Sequence, residues 1–368
     1  MLDEGVSMLS SWIAQESPTD VPAAVNAMGD LVIAEASAAV TAERIASQGQ
    51  YGDMVLLRTG PQNGRRPILM IGHLDTVHAI GTLAGPLPLR REGDKLYGPG
   101  GYDMKAGILI ALKGLRDALA SNTLRRPVVL ALSPDEETGS PFSRAIIEAL
   151  GREAAYALVF EPARRGGGCV TCRKGTGRFQ MTIEGRAAHS GMNHEEGRSA
   201  IREAAHQTLR FEALTDYQRG ITANVGLIAG GSGANTVPSR CTMTLDIRVP
   251  TSRDGDAAER TIRNATPVDP DVRLTVTGGM IRPPFERSDR TAALLDLAQE
   301  TAAGLGLCLP EAPRAGGGSD GNFTAALGVP TLDALGAEGD GAHTHHEHVL
   351  ISSLAVRRAF IGKLLGAL

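Results

Sequence analysis

Short apolar runs that end in histidine or acidic residues recur in the first half of the chain. Three such runs, each with the polar residues that follow it, span residues 68–75, 128–137 and 156–161. Apolar runs of this length, alternating with helical patterns, predict buried strands of a mostly parallel sheet. Because ligands collect beyond the carboxyl ends of such strands, the terminal polar residues are candidates for a functional site.

Helical and alternating patterns elsewhere complete the predicted elements. The predicted helices span 6–15, 22–48, 104–120, 195–212, 254–265 and 290–304, with a closing helix after residue 348. The predicted strands span 53–59, 67–72, 128–133, 156–160, 178–185, 222–229, 240–249, 272–278 and 329–335. Asn63 and Gly64, between the first two strands, predict a hairpin.

The order of elements changes after the glycine-rich segment 165–168. From there the predicted order is βαββαβ, which is the ferredoxin-like pattern. A chain of 368 residues is also long enough for two domains. We therefore predict an α/β main domain with a mostly parallel sheet, residues 1–176 and 285–368. An α+β ferredoxin-like domain, residues 177–284, is predicted to be inserted into it.

Composition and charge narrow the range of partners. A net charge of −4 and ordinary apolar content favour neither nucleic acid nor an anionic membrane as partner. Residues 1–20 include four acidic side chains and no long apolar run. This predicts neither a signal peptide nor a transmembrane segment and favours a cytoplasmic location.

Two local motifs point to other chemistry but are incomplete. Cys169 and Cys172 have the spacing of half a zinc ribbon, but Cys241 and Cys308 stand alone, so structural thiols are favoured. The glycine-rich loop 316–319 could cradle a phosphate, but it lacks the lysine of a P-loop. A nucleotide-binding protein is therefore disfavoured.

The polar residues around the strand ends form a candidate set of metal ligands. The set comprises His73, Asp103, Glu137, Glu161 and one histidine near residue 343. Imidazole and carboxylate ligands together favour zinc over magnesium or calcium. Five ligands are too many for one tetrahedral ion with an open position, and they suit two ions bridged by a carboxylate. Asp103 is the candidate bridge, although a simple helix N-cap is the alternative, and a bridging water or hydroxide would be the nucleophile.

Two acidic residues beside these ligands have other predicted roles. Glu136 adjoins Glu137 but faces another way, so it is the candidate general base that passes a proton to the leaving nitrogen. Asp75 leaves the strand on the same side as His73, because residues two apart in a strand point the same way. Asp75 is therefore predicted to orient the imidazole of His73.

Nine motifs, in matching order over nearly the whole chain, resemble those of one known family. They are Gly72-His-Leu-Asp-Thr-Val, Tyr97-Gly-Pro-Gly with Asp103-Met-Lys, Pro134-Asp-Glu-Glu-Thr-Gly, Phe160-Glu-Pro, Gly185-Arg-Ala-Ala-His-Ser-Gly, Asn235-Thr-Val-Pro, Leu245-Asp-Ile-Arg, Gly317-Gly-Ser-Asp and Gly341-Ala-His. The chain resembles the co-catalytic dizinc hydrolases: carboxypeptidase G (a glutamate carboxypeptidase), aminoacylase, acetylornithine deacetylase and succinyl-diaminopimelate desuccinylase. The resemblance implies a catalytic domain of the zinc exopeptidase type and an inserted lid or dimerisation domain.

The resemblance also implies which residues hold the metal. One zinc ion is expected on His73, Asp103 and Glu161, and the other on Asp103, Glu137 and His343, with cobalt or manganese as alternatives to zinc. His343 is preferred to His345 and His346 because the family places its ligand four residues before a glutamate, here Glu347. In the family a cis peptide often follows the bridging aspartate.

Substrate contacts are implied mainly in the inserted domain. His189 falls on a family histidine that helps hold the oxyanion and that dimeric members receive from the partner subunit. The expected substrate-binding residues are Asn235, Arg248, Arg282, Gly318 and Ser319. Arg248 has the fork geometry for a carboxylate, although a salt bridge to Asp246 or Glu259 is the alternative. His78 stands where members commonly have an apolar residue or proline. A surface histidine is expected there, and a position at the substrate entrance is the alternative.

These observations predict a metal-dependent hydrolase that cuts an amide bond next to a free carboxylate. The leading prediction is a glutamate carboxypeptidase, and the alternative is an N-acyl amino acid deacylase, because both use the same machinery. Its substrate would be a small peptidyl or N-acyl amino acid, and a homodimer through residues 177–284 is implied by the family. A catalytically silent binding protein would have lost Glu136 or a ligand, and all of these are present.

Overall fold

The computed structural model describes residues 2–368, and the chain divides into two compact units. The first unit contains the chain up to Cys172, together with Arg287–Ala315 and Ser319–Leu368. The second contains Arg173–Glu286 and Gly316–Gly318. The second unit therefore interrupts the first in sequence.

Helices and strands alternate through most of the chain. The helices are α1 (Leu2–Ala14), α2 (Pro22–Ala34), α3 (Ala106–Ala120), α4 (Arg144–Glu153), α5 (Ala200–Glu212), α6 (Ser252–Arg263), α7 (Asp289–Ala303), α8 (Gly321–Ala326) and α9 (Ile351–Ala367). The strands are β1 (Thr41–Ile45), β2 (Met54–Thr59), β3 (Ile68–His73), β4 (Arg90–Glu92), β5 (Lys95–Tyr97), β6 (Val128–Ser133), β7 (Tyr156–Val159), β8 (Gly175–Glu184), β9 (Thr222–Gly230), β10 (Arg240–Val249), β11 (Arg273–Arg282), β12 (Thr331–Leu332), β13 (Gly339–Asp340) and β14 (His348–Leu350). Across residues 2–368, none of the helices combines the length and the apolar character that crossing a membrane requires.

A six-stranded sheet forms the centre of the first unit, in the order β1-β2-β6-β3-β7-β12. The strands from β6 to β12 in this order are parallel, and β1 and β2 are added antiparallel. β3 and β6 are buried at every position, which accounts for their uninterrupted apolar runs. The predicted fold class, a mixed α/β domain with a mainly parallel sheet, is confirmed.

Helices cover both faces of this sheet. Ile68 of β3 packs into a core shared with α3 and α9, whereas the next residue, Leu69, packs into a second core with α4 and α8. This division follows from the alternation of side chains along a strand. His73 at the end of β3 lies opposite Ser133 at the end of β6, so the carboxyl ends of these strands are level.

The first unit also contains a small antiparallel sheet, with the strand order β13-β14-β5-β4. Its strands have two or three residues each, too few to show a period, and the sequence analysis did not predict them. β14 pairs with β5, which places His348 opposite Tyr97. The chain just before β14 is thereby held near the turn that leads into α3.

The second unit is a four-stranded antiparallel sheet, in the order β11-β8-β10-β9, with α5 and α6 packed against it. The chain order is βαββαβ, as the sequence predicts. Burial alternates regularly along β10, so one face of the sheet forms the core of the unit. At the ends of the unit, Arg173 and Phe285 exchange two backbone hydrogen bonds of 3.0 Å.

Two predictions for the N-terminal part of the chain are wrong. The helix predicted over 22–48 ends at Ala34, and Thr41–Ile45 forms the edge strand β1, whose exposed side chains show no apolar period. The hairpin predicted at Asn63 and Gly64 does not form, because β6 lies between β2 and β3 in the sheet. A turn signal describes the local backbone and does not determine which strands become neighbours.

Candidate metal centre

The five predicted ligands converge at the carboxyl edge of the main sheet. They are His73 at the end of β3, Asp103 in the turn before α3, Glu137 in the turn after β6, Glu161 beyond β7, and His343 between β13 and β14. Their ligand atoms form two groups of three, and within each group these atoms lie within 4.8 Å of one another. Asp103 belongs to both groups.

The first group contains His73, Asp103 and Glu161. Nε2 of His73 lies 3.2 Å from Oδ1 of Asp103 and 3.8 Å from Oε1 of Glu161. Nδ1 of the same ring lies 2.8 Å from the backbone carbonyl oxygen of Asp75. One ring nitrogen is thus held by the backbone while the other faces the carboxylates, which is the usual arrangement of a metal-ligating histidine.

The second group contains Asp103, Glu137 and His343. Nε2 of His343 lies 3.3 Å from Oδ2 of Asp103 and 3.2 Å from Oε2 of Glu137. Each oxygen of Asp103 therefore faces a different histidine, as expected of a bridging carboxylate. The structure brings His343, rather than His345 or His346, to these carboxylates.

Burial and hydrogen bonding act in opposite directions on the pKa values of these groups. Burial acts to lower the pKa of His73, but hydrogen bonds to Asp103 and Asp75 raise it well above its ordinary value. Hydrogen bonds to Asp103 and Glu137 raise the pKa of His343 to about 11. Burial raises the pKa of Glu137. For Asp103 burial acts to raise the pKa, but hydrogen bonds from the two histidines lower it. The clustered carboxylates therefore favour positive charge at this edge of the sheet.

The donor set fits divalent metal ions. In the part of the chain that the structure describes, Oε1 of Glu137 is one of only two buried side-chain nitrogen or oxygen atoms without a hydrogen-bond partner. A buried carboxylate oxygen without a partner is costly, and a metal ion would satisfy it. Imidazole nitrogen and carboxylate oxygen are also ligands that zinc commonly binds.

Asp75 lies behind the ligands and is fully buried. Its carboxylate accepts hydrogen bonds from the backbone N–H groups of Glu136 at 3.2 Å and Glu137 at 3.1 Å, and from the Thr19 hydroxyl at 2.7 Å. Its Oδ1 lies 3.5 Å from Nδ1 of His73, farther than its own backbone carbonyl oxygen. Asp75 thus orients His73 mainly through the backbone, while its carboxylate fixes the turn of the two glutamates. No sequence motif pointed to Thr19.

Glu136 lies in the same short turn as Glu137 but belongs to neither ligand group. The residue is half-buried, and its backbone N–H donates a hydrogen bond to Asp75. The side chain of Glu137 is only 7 % exposed. Both glutamates are half-buried residues, but only Glu137 contributes to a ligand group, so the two adjacent carboxylates can have separate roles.

Glu347, which precedes β14, is fully buried, and its sequence motif indicates only its spacing from His343. Its Oε1 accepts hydrogen bonds from the backbone N–H groups of Tyr102 at 2.9 Å and Asp103 at 3.0 Å, and its Oε2 accepts one from Gly100 at 3.1 Å. Glu347 therefore fixes the turn that carries the shared ligand. The Asp103–Met104 peptide bond in this turn is cis, as the resemblance implied.

His189 and Asn235, predicted to contact substrate, are exposed neighbours in the second unit. The backbone N–H of Ser190 donates to the carbonyl oxygen of Asn235 at 3.0 Å, and His189 forms a β-bridge with Thr236. The two predicted residues are thus brought together within this unit.

Arg248 pairs with Asp246 in the second unit through contacts of 2.7 and 3.1 Å. This is one of the salt bridges that the sequence left open as an alternative. The other candidate acid, Glu259, pairs with Arg263 instead. The guanidinium fork of Arg248 is therefore directed at a carboxylate of its own strand in this structure.

Arg282, Gly318 and Ser319 occupy confined positions. Arg282 is 4 % exposed, and a Cβ atom at Gly318 would come within 2.6 Å of its Cδ, so the absence of a side chain at Gly318 leaves room for the arginine. Ser319 belongs to the first unit, is fully buried, and donates its hydroxyl hydrogen bond to Asp333. These surroundings favour a structural role for the Ser319 side chain over the predicted substrate contact.

The thiols take no part in this centre. All four cysteines are free, Cys169 is completely buried, and burial raises its pKa to about 12. A thiol of this kind is inert at neutral pH. The structural interpretation of the Cys169 and Cys172 pair is supported.

Comparison with known proteins agrees with the geometry of the centre. The model of peptidase family M20/M25/M40 matches residues 69–367. Carboxypeptidase G2 of Pseudomonas sp. (strain RS-16) is 30 % identical over 370 residues, which cover 98 % of this chain and 88 % of that protein. Acetylornithine deacetylase of Myxococcus xanthus is 32 % identical over 208 residues, 53 % of each chain.

Solved structures share the fold at lower identity. The crystal structure of aminopeptidase PepT from Bacillus cereus superposes with a TM-score of 0.82 at 20 % identity, over 100 % of this chain and 98 % of that one. The likeness extends over both units of the sequence, including the inserted one.

Proposed function

The chain belongs to peptidase family M20/M25/M40, and we propose that within it this enzyme is a carboxypeptidase that releases a C-terminal amino acid, glutamate in the leading case. The family consists of metal-dependent peptidases and amidohydrolases that act on small peptides or acyl amino acids. The carboxypeptidase assignment is finer than the family. Its main support is the near-complete coverage of a carboxypeptidase relative, compared with half coverage of a deacetylase.

The observation that carries the catalytic proposal is the pair of ligand groups sharing Asp103, with Glu136 in the adjacent turn. We propose two zinc ions, with cobalt or manganese as alternatives, one on each group. When bound, such ions polarise the scissile carbonyl and make water a stronger nucleophile at neutral pH. The shared carboxylate would hold both ions.

Glu136 is the proposed general base. It removes a proton from the attacking water and delivers it to the amine nitrogen as the carbon–nitrogen bond breaks, so the products are a carboxylic acid and a free amino acid. The hydrogen bond from the backbone N–H of Glu136 to Asp75 fixes the backbone position from which this side chain extends. Partial exposure of Glu136 supports the role, because substrate must reach the same carboxylate from solvent.

The inserted unit is proposed to supply substrate recognition. Arg248 and Arg282 offer guanidinium groups for the free carboxylate, and for Arg248 this requires release of its contact with Asp246. His189, next to Asn235, is the proposed oxyanion donor.

We also propose a homodimer through residues 177–284 in a cytoplasmic enzyme. Leu209 on α5 and Leu227 and Ile228 on β9 are 73 %, 70 % and 54 % exposed, and β9 is an edge strand. Exposed apolar side chains beside an unpaired strand edge are typical of an interface. Sedimentation analysis of the purified protein tests the dimer.

A substrate panel tests the carboxypeptidase proposal. Metal-loaded protein is assayed on a folyl-glutamate, on short peptides ending in glutamate or another residue, and on N-acetyl amino acids, with release of the free amino acid measured. We expect glutamate release to be fastest. As a matched control, the same folyl-glutamate with its α-carboxylate converted to an amide should be a poor substrate.

The alternative is an N-acyl amino acid deacylase, which the match to acetylornithine deacetylase favours. Release of acetate from N-acetyl amino acids, without glutamate release from any peptidyl or folyl substrate, would establish the deacylase and overturn the carboxypeptidase proposal. Either outcome retains the metal centre.

A further inference from the structure

His78 completes the hydrogen bonding of the buried carboxylate of Glu347. Its Nε2 lies 2.7 Å from Oε2 of Glu347, and the residue is only 6 % exposed. The expectation of a surface histidine at position 78 is therefore wrong. The sequence could not reveal the contact, because the two residues are 269 positions apart.

We propose that His78 is a positioning residue of the metal centre: it holds Glu347 in the orientation that fixes the backbone of Asp103. This inference rests on the metal centre proposed above. His78 touches neither ligand group, so it acts through the glutamate and not on the substrate or the ions.

The contacts of Glu347 explain why one more donor matters. The carboxylate is fully buried, and its other donors named above are backbone N–H groups of the turn from Gly100 to Asp103. A buried carboxylate requires several hydrogen bonds to offset the loss of water. His78 is the side-chain donor among these contacts, so it is the one that a substitution can remove without altering the turn.

Glu347 also connects two ligands that are distant in sequence. It binds the backbone N–H of Asp103 directly, and it follows His343 by four residues in the segment before β14. A shift of this carboxylate would therefore disturb Asp103 and the segment that carries His343. Partners of ligands in general tune metal affinity by about 10–100-fold.

The test compares variants that keep or remove the donor. His78→Leu removes it, whereas His78→Gln can place an amide N–H near the position of Nε2. His206→Leu, at an exposed histidine on α5, is the matched control. Zinc affinity is measured on metal-free protein against a competing chelator at one pH, and the visible spectrum of the cobalt-loaded protein reports ligand geometry.

We expect the zinc dissociation constant of His78→Leu to rise roughly tenfold, with changed cobalt bands, and His78→Gln to restore both to within about threefold of the parent. His206→Leu should match the parent. Thermal unfolding of the metal-free proteins identifies any variant that does not fold. If His78→Leu fails to fold, His78→Asn replaces it, because its shorter amide does not reach Glu347.

Unchanged zinc affinity and cobalt bands in the folded His78→Leu or His78→Asn variant would overturn the inference. Equal losses in His78→Gln and His78→Leu would also overturn it, because the donor would then not be the cause. If the parent protein bound no metal, the proposed metal centre would fail first, and this inference would fail with it.

Discussion

The two ligand groups that share Asp103 differ in how firmly the protein holds their histidines. His73 ends a fully buried strand, is 2 % exposed, and has its second ring nitrogen held by a backbone carbonyl oxygen. His343 lies between two short strands, is 52 % exposed, and has a φ of 64°. Such a positive φ is uncommon for a residue other than glycine.

The difference indicates a division of labour between the two halves of the centre. A ligand fixed by the sheet and by a backbone contact is pre-organised, so we expect the first group to bind its ion more tightly. A ligand on an exposed loop leaves that side open to solvent and substrate. We therefore expect the second group to exchange its ion more readily.

The largest effect should come from removing the ligand common to both halves. Asp103→Ala takes a carboxylate from each group, so we expect kcat/KM to fall by on the order of 10⁴-fold or more. Each tenfold loss corresponds to about 1.4 kcal/mol of transition-state stabilisation. Metal content measured by elemental analysis should fall at both sites. Asp256→Ala, at an exposed aspartate on α6, is the control. Retention of a tenth of the activity would contradict a shared ligand.

The next effect separates chemistry from metal binding. Glu136→Gln should lower kcat by about 10²–10⁴-fold, the usual contribution of a general base, with metal content unchanged. Glu137→Gln, one residue away, should instead weaken metal binding in the second group. Turnover and metal content are measured on both variants in parallel. Normal turnover by Glu136→Gln would refute its assignment as the base.

Metal removal should distinguish the halves directly. During dialysis against a chelator, we expect the metal-to-protein ratio to fall in two phases, with the faster phase assigned to the group of His343. His343→Ala should abolish the fast phase and keep the slow one, whereas His73→Ala should remove the slow phase. The ratio is followed by elemental analysis. A single phase in the parent protein would show that the two halves are equivalent.

The affinity for metal should also depend on pH. In metal-free protein, hydrogen bonds to neighbouring carboxylates raise the pKa of His343 to about 11 and that of His73 well above its ordinary value, so the doubly protonated, positively charged form of both rings is favoured at neutral pH. A metal ion must displace these protons, so affinity should weaken as the pH falls, by about tenfold per pH unit for each proton displaced. Calorimetric titrations in two buffers of different ionisation enthalpy measure proton release. An affinity that does not change between pH 6 and 8 would contradict this expectation.

The buried strands of the main sheet could be predicted because their apolar runs are continuous and end in polar residues. β3 and β6 are buried at every position, and β7 is buried at all positions but its first. The edge strand β1 could not be predicted, since its exposed side chains in an alanine-rich context resemble a helix. The order of strands in the sheet depends on contacts between distant segments, which is why the hairpin prediction at Asn63 and Gly64 was wrong.

For the candidate site, the ligands were predictable but their supports were not. His73, Glu137 and Glu161 follow apolar strands, so their sequence context marks them as functional. Thr19 donates a hydrogen bond to Asp75, and Glu347 accepts three backbone hydrogen bonds from the turn that carries Asp103. These contacts join residues distant in sequence, and no local pattern signals them. The roles of the substrate-binding residues stay predictions from resemblance.

The two hydrogen bonds between Arg173 and Phe285 have a consequence for engineering. The chain enters the inserted unit at Arg173 and comes back beside it at Phe285. Deleting the residues between them would therefore leave two ends that are already adjacent. Closing them with a short turn would add little loop-closure entropy to the remaining polypeptide. This junction is therefore a suitable point for domain exchange. Another domain with adjacent termini could replace the inserted unit without straining the backbone of the first unit.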